Sequence, residues 1–148
     1  MPVIVIMTGI QGSGKTTFCR EQFPDYERIS LDELHTRNKE NIAFEQALLE
    51  KKALVIDNTN PTVSDRERYI RRAKKQGYII VGYFMQSRIR ECMDRNRRRA
   101  GKARIPDTAI AATSNKLQLP SFEEGYDELY FVSINDAGFS VSEWRDSR

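Results

Sequence analysis

The residues Gly9-Ile10-Gln11-Gly12-Ser13-Gly14-Lys15-Thr16 have the types and spacing that chemistry on phosphate requires. They read G-x-x-x-x-G-K-T, in which glycines permit positive φ and let successive backbone N–H groups converge on phosphate oxygens. The pattern opens onto a helix-like segment, whose N-terminal N–H groups and dipole also favour a polyphosphate. Lys15 is placed to reach β- and γ-phosphates as a point charge, and the Thr16 hydroxyl to enter the shell of a magnesium ion. Gly9, Gln11, Gly12, Ser13, Gly14, Lys15, Thr16 and the adjacent Thr17 are therefore the expected nucleotide contacts. A chance glycine turn is the alternative, and the strand, loop, helix context argues against it.

Phosphoryl transfer also needs one carboxylate to take the acceptor proton and another to hold the metal or its waters. Two candidates follow strand-like runs: Asp32, and Asp57 in the turn Asp57-Asn58-Thr59-Asn60-Pro61. Each has a plainer reading, Asp32 as a first-turn acid on its helix dipole and Asp57 as a turn residue capping the next helix. Positive charge is concentrated elsewhere. From residue 88 to 104, Arg88, Arg90, Arg95, Arg97, Arg98, Arg99, Lys102 and Arg104 face only Glu91 and Asp94, a local +6 in a chain of net charge +3. Arg95 and Arg99 stand one helical turn apart on one face, which suits a phosphate lid; the alternative is a solvated face with Glu91 pairing to Arg95. Arg97, Arg98, Lys102 and Arg104 could attract a nucleic-acid backbone. The sequence has no recognisable cluster of base-stacking aromatics, so recognition of an end with little sequence preference is the expectation.

The elements that must hold these residues alternate along the chain. Strands are expected at 3–8, 27–30, 53–57, 78–84 and 129–134. Helices are expected from Lys15 to about Phe23, stopped by Pro24, from a Ser30–Glu33 capping box to near Lys52, and from Val63 to Gln76, closed by Gly77. An arginine-rich helix follows over Ser87–Arg99, with Ile89, Met93, Asn96 and Ala100 as a stripe that could face the sheet. A linker over Ala100–Pro106 and a short helix over Asp107–Lys116 complete the set. This alternation predicts an α/β domain, a five-stranded central parallel sheet with helices on both faces and ligands at the carboxyl ends of its strands. Residues 1–148 are expected to form one domain, with the tail 135–148 of uncertain structure.

Composition fits that picture, at 39% hydrophobic and 30% charged residues. The apolar start has no basic n-region and breaks at Gly9, so it reads as a strand and not as a signal peptide. No run is long enough to span a bilayer, and no membrane partner is expected. Cys19 and Cys92 have neither metal nor redox spacing, as expected for reduced thiols in a cytoplasmic protein.

Taken together, these landmarks resemble the P-loop kinase domain of the polynucleotide 5'-hydroxyl kinase family found in nucleic-acid end-repair enzymes. The resemblance is carried by Gly9 to Thr16, Asp32, the Asp57 to Pro61 turn, Arg95 and Arg99, Pro106, and Glu124-Gly125-Tyr126. It implies a P-loop kinase fold, ATP and Mg2+ as cofactors, and DNA or RNA 5'-hydroxyl ends as partners. Lys15, Asp32 and Arg99 would be catalytic, with Asp32 the general base. Arg95 and Arg99 would close on the ATP phosphates, and Thr16 and Asp57 would hold the metal. Asp32, Arg37, Asp57, Asn58 and Asn60 would line the acceptor side. The chain departs from the family beside the base, where members carry an arginine immediately before it or three residues after it. Here those positions are Leu31 and His35, with Arg37 as a substitute and His35 read as a solvated helix residue. No aspartate-rich phosphatase motif accompanies the kinase landmarks. A small-molecule kinase on the same scaffold and a non-catalytic nucleotide switch are the alternatives; a switch would not need Asp32.

Overall fold

The first strand, β1 (Val3–Thr8), is apolar up to Thr8, and such a run needs cover on both faces. In the structure, a computed structural model that describes residues 1–101 and 104–145, β1 runs between β3 (Leu54–Ile56) and β4 (Ile79–Met85). Val5 pairs in register with Val55 and Val81, and Ile6 with Ile56 and Gly82. The sheet order is β2-β3-β1-β4-β5-β6, where β2 is Glu27–Ile29, β5 is Glu128–Asn135 and β6 is Gly138–Glu143. β1 to β5 run parallel.

Successive strand side chains point to opposite faces, so the sheet supplies two cores. Ile4, Ile6, Ile56 and Ile80 pack with Phe44, Ala47 and Leu48 of α3 (Arg37–Leu49) and Tyr69, Ile70 and Ala73 of α4 (Val63–Lys75). Val5, Met7, Val55, Val81, Met85 and Val132 pack with Phe18 and Cys19 of α1 (Lys15–Gln22). This is the expected α/β architecture, and the five expected strands are each found within one residue at either end.

The sheet has six strands and not five. β6 is antiparallel to β5, from Asn135 opposite Gly138 to Tyr130 opposite Glu143. The turn is tied by Asn135 Oδ1 accepting from the Ala137 N–H, and Gly138 takes φ 119°. Most of β6 is exposed, as on an edge strand, so its sequence G-F-S-V-S-E lacks the apolar run of its neighbours. Phe139 and the following Trp144 anchor it, one on each face of the sheet.

The single helix expected from Ser30 to near Lys52 is two helices. α2 (Leu31–Leu34) ends at His35, which adopts φ 70° and donates its N–H to the Leu31 carbonyl at 2.7 Å. Thr36 then starts α3 afresh, its hydroxyl accepting from the Lys39 N–H. The capping box is absent as well: Ser30 makes no side-chain cap, and Glu33 pairs with Arg28 of β2. A cationic partner across the turn outcompetes the backbone N–H for an exposed carboxylate. Beyond β4, α5 (Ile89–Arg97) and α6 (Asp107–Lys116) pack together, and Cys92 and Ile110 enclose Ile10 of the glycine loop. The buried stripe of α5 thus includes Cys92 and Asn96 and meets the loop and α6, where the sheet face was expected. Lys102 lies outside the described residues.

Candidate active site

The loop leaves the carboxyl end of β1 in the middle of the sheet. Gly9 donates its N–H to the Thr59 carbonyl at 3.0 Å, and Ile10 to the Ser87 hydroxyl at 3.1 Å. Gly12 has φ 82°, and a Cβ there would stand 2.3 Å from the Cys92 carbonyl oxygen. Only glycine fits a left-handed position pressed on another backbone. Gln11 Nε2 donates to Thr113 Oγ1 at 3.0 Å, and Arg95 donates to the Gly12 carbonyl at 2.8 Å, so α6 and α5 brace the loop from behind.

Gly14, at φ 91°, is the N-cap of α1 and points the first N–H groups of the helix at the cleft. Lys15 folds back so that Nζ donates to the Gly9 and Ile10 carbonyls at 2.9 and 3.0 Å. Burial lowers its ammonium pKa below the usual lysine value, with Asp57, Cys92 and Asp32 opposing that shift and Arg99 adding to it. A phosphate at this position would favour the charged ammonium that burial disfavours.

Thr16 Oγ1 donates to Asp57 Oδ2 at 2.9 Å, and Arg28 Nε donates to the same oxygen at 2.8 Å. Burial tends to lower the Arg28 pKa; its bond to Asp57 and that charge outweigh burial and hold it above the ordinary value. A hydroxyl beside a carboxylate is the oxygen chemistry that magnesium takes, with the remaining positions left to phosphate and water. Thr16 and Asp57 therefore fit the metal they were expected to hold. Among the described residues no group of three or more His, Cys, Asp or Glu side chains could hold a metal by itself. Arg28 was missed from the sequence, because only the parallel register of β2 with β3, Arg28 beside Val55, brings it to Asp57.

Across the cleft stands α2, with Asp32 exposed on its first turn. Leu31 donates its N–H to Asn58 Oδ1 at 2.9 Å, and Asn58 Nδ2 donates to Glu40 Oε2 at 2.7 Å. Glu40 is fully buried and also accepts from the Tyr69 hydroxyl at 2.7 Å and from Arg37 at 3.2 Å. Burial, then the bond to Glu40, pushes the Tyr69 hydroxyl up to about 12. Asn60 is buried at φ 44° with Nδ2 donating to the Met7 carbonyl at 2.8 Å, so its side chain secures the turn to β1. Its own carbonyl accepts from Arg66, which is fully buried and pairs with Glu124 at 2.8 Å. Glu124 was a landmark of the sequence; its partner Arg66 was not, for nothing in an arginine-rich helix marks the one arginine that turns inward.

These parts enclose one cleft of about 670 Å³. Lys15, Thr16, Thr17 and Arg99 line its phosphate side, Asp32, Arg37 and Asn58 its far side, and Asp57 lies between. Arg95 is engaged with the loop itself, whereas Arg99, beyond the end of α5, reaches the cleft. His35 is exposed and serves as the left-handed end of α2. Among the described residues no helix is long and apolar enough to cross a membrane.

A protein-family model described as an AAA domain matches residues 4–120. The chain is 31% identical over 149 aligned positions to a bifunctional polynucleotide phosphatase/kinase of Schizosaccharomyces pombe, covering 95% of this chain and 36% of that protein. It thus spans about a third of the length of that relative. Among solved structures, Kti12 of Chaetomium thermophilum in complex with ADP-AlF3 superposes with a TM-score of 0.71 at 17% identity, covering 90% of this chain and 92% of that one. A gluconokinase from Sinorhizobium meliloti 1021 superposes with a TM-score of 0.61 at 17% identity, covering 91% and 84%. At such identities the two structures establish the fold, a P-loop kinase fold, and nothing of the substrate.

Proposed function

The chain belongs to the AAA domain family, and from that premise we propose that it is an ATP-dependent kinase that transfers the γ-phosphate to 5'-hydroxyl ends of DNA or RNA. The observation that carries the reading is that the glycine loop with Lys15 and an exposed carboxylate, Asp32, line the same cleft. The similarity to a relative named for polynucleotide kinase activity supports the choice of acceptor.

In this mechanism the loop N–H groups and Lys15 hold the triphosphate, and Lys15 exchanges its loop carbonyls for phosphate oxygens. Thr16 and Asp57 would hold Mg2+, which neutralises charge on the phosphates when bound. Arg99 faces the charge that builds on the transferring group and the departing ADP. The acceptor 5'-oxygen approaches from the Arg37 side, with that guanidinium on the neighbouring phosphate of the strand. Asp32 takes the hydroxyl proton as the oxygen bonds to the γ-phosphorus and the bond to the β,γ-bridging oxygen breaks. The products are ADP and a 5'-phosphate end, and the proton leaves Asp32 to solvent.

The test offers γ-labelled ATP and magnesium with 5'-hydroxyl oligonucleotides of DNA and RNA, and separately with nucleosides and gluconate. Label on the oligonucleotide is expected. Label on a small alcohol with oligonucleotides refused would make the chain a small-molecule kinase, and ADP formation without any labelled acceptor would remove the kinase reading altogether.

A further inference from the structure

α2 is a single turn, and a single turn has too few internal hydrogen bonds to hold itself in water. Its own backbone bonds run from Leu34 to the Ser30 carbonyl and from His35 to the Leu31 carbonyl. The residue placed to cap it does not: the Ser30 hydroxyl is buried with no hydrogen-bond partner among the described residues. The first N–H of the turn is taken instead by Asn58, which arrives from the end of β3. Its amide has only one workable orientation. The Leu31 N–H can only donate, so Oδ1 must face α2, which turns Nδ2 to the Glu40 carboxyl group, to which it donates. Glu40 is itself fixed by burial and by the Tyr69 hydroxyl.

We propose that Asn58, oriented by the buried Glu40, is a positioning residue that caps α2 from outside and so fixes Asp32 over the cleft. The inference rests on Asp32 as the proton acceptor. Asp57 and Asn58 are consecutive, and they reach in different directions: Asp57 to Thr16 on the phosphate side, Asn58 to α2 on the acceptor side. One dipeptide thereby sets the separation between the nucleotide and the base. The general base need not touch this network, since Asp32 follows Leu31 directly and moves with it.

The test exchanges donor and acceptor across the Asn58–Glu40 bond. Asn58→Asp keeps the oxygen toward Leu31 and sets two carboxylates against each other; adding Glu40→Gln restores a donor and a single charge. Measured are amide exchange at Leu31 by NMR, single-turnover transfer to a 5'-hydroxyl oligonucleotide, and the KM for ATP. In Asn58→Ala and Asn58→Asp the Leu31 amide loses protection and transfer falls about 100-fold, the scale of a displacement near 1 Å at a catalytic group, while the KM for ATP stays at the wild-type value. In Asn58→Asp/Glu40→Gln protection returns and transfer recovers most of that loss. A swap no better than Asn58→Asp alone, including a failure of both to fold, would overturn the proposal. So would an Asn58→Ala protein that weakens ATP binding as much as transfer, or one in which Leu31 stays protected. If the wild type phosphorylates no oligonucleotide, the substrate reading falls, and the Leu31 amide still decides whether Asn58 holds α2.

Discussion

The phosphate side of the cleft comes, Arg99 apart, from one run of residues after β1, whereas the far side is assembled from α2, α3, α4 and the turn at 57–61. The first is a backbone site. Its shape is set by left-handed glycines pressed on α5 and on β5 and β6, and its ligand is addressed by N–H groups and one lysine. The second is a side-chain site, in which Asp32 and Arg37 hang on a buried network of Asn58, Glu40 and Tyr69. Backbone shape binds what all nucleoside triphosphates share, and side chains from separate segments can be exchanged without disturbing it. On the proposed mechanism the acceptor preference resides on the second wall.

Substitutions can break or sharpen that contrast. Asp32→Asn is expected to lower single-turnover transfer by roughly 100- to 10,000-fold while calorimetric ATP binding is retained. ATP binding that falls in step would join the two walls into one. Lys15→Ala should reduce transfer on the order of 1,000-fold, and it should do so equally for every acceptor, water included. A loss confined to oligonucleotide would move Lys15 to the other side of the comparison. Arg95→Ala removes the charged donor on the Gly12 carbonyl and should raise the KM for ATP roughly tenfold with the KM for oligonucleotide unchanged. The reverse pattern in steady-state kinetics would make Arg95 an acceptor contact. Glu33→Gln should change neither rate nor melting temperature appreciably, since its bond to Arg28 is made by a side chain 59% exposed. A large loss of transfer there would mean that Glu33, and not Asp32, serves as the base.

The same contrast decides what could be read from the sequence. Glycine spacing, Lys15 and Thr16 announce a phosphate site because the whole device lies in consecutive residues, and the central strands announce themselves because strands buried on both faces are almost wholly apolar. Asp32, Asp57 and Arg99 were singled out and all reach the cleft. What could not be read depends on register or on burial of polar groups. Arg28 reaches Asp57 only through β2–β3 pairing, and Glu40 and Arg66 look like any charged helix residue until their neighbours are known. The Ser30 capping box failed because Arg28, five residues before Glu33, offers that carboxylate a charged partner. β6 was not expected because an edge strand carries half the apolar signal of a central one.

One consequence follows from the contact between Gly14 and the last hairpin. The α-carbon of Gly14 lies so near Ile134 of β5 and Phe139 of β6 that an added Cβ would stand 2.9 and 3.2 Å from them, and Phe139 also meets Phe18 of α1 edge-on at 5.2 Å. The N-terminus of the nucleotide-binding helix thus leans on residues more than 100 positions later in the chain. Any coupling carried by this contact is reciprocal: to the extent that a nucleotide rigidifies the hairpin, securing the hairpin tightens the nucleotide by the same factor. The two distal strands thus buttress the loop from outside, although neither supplies a residue to the cleft.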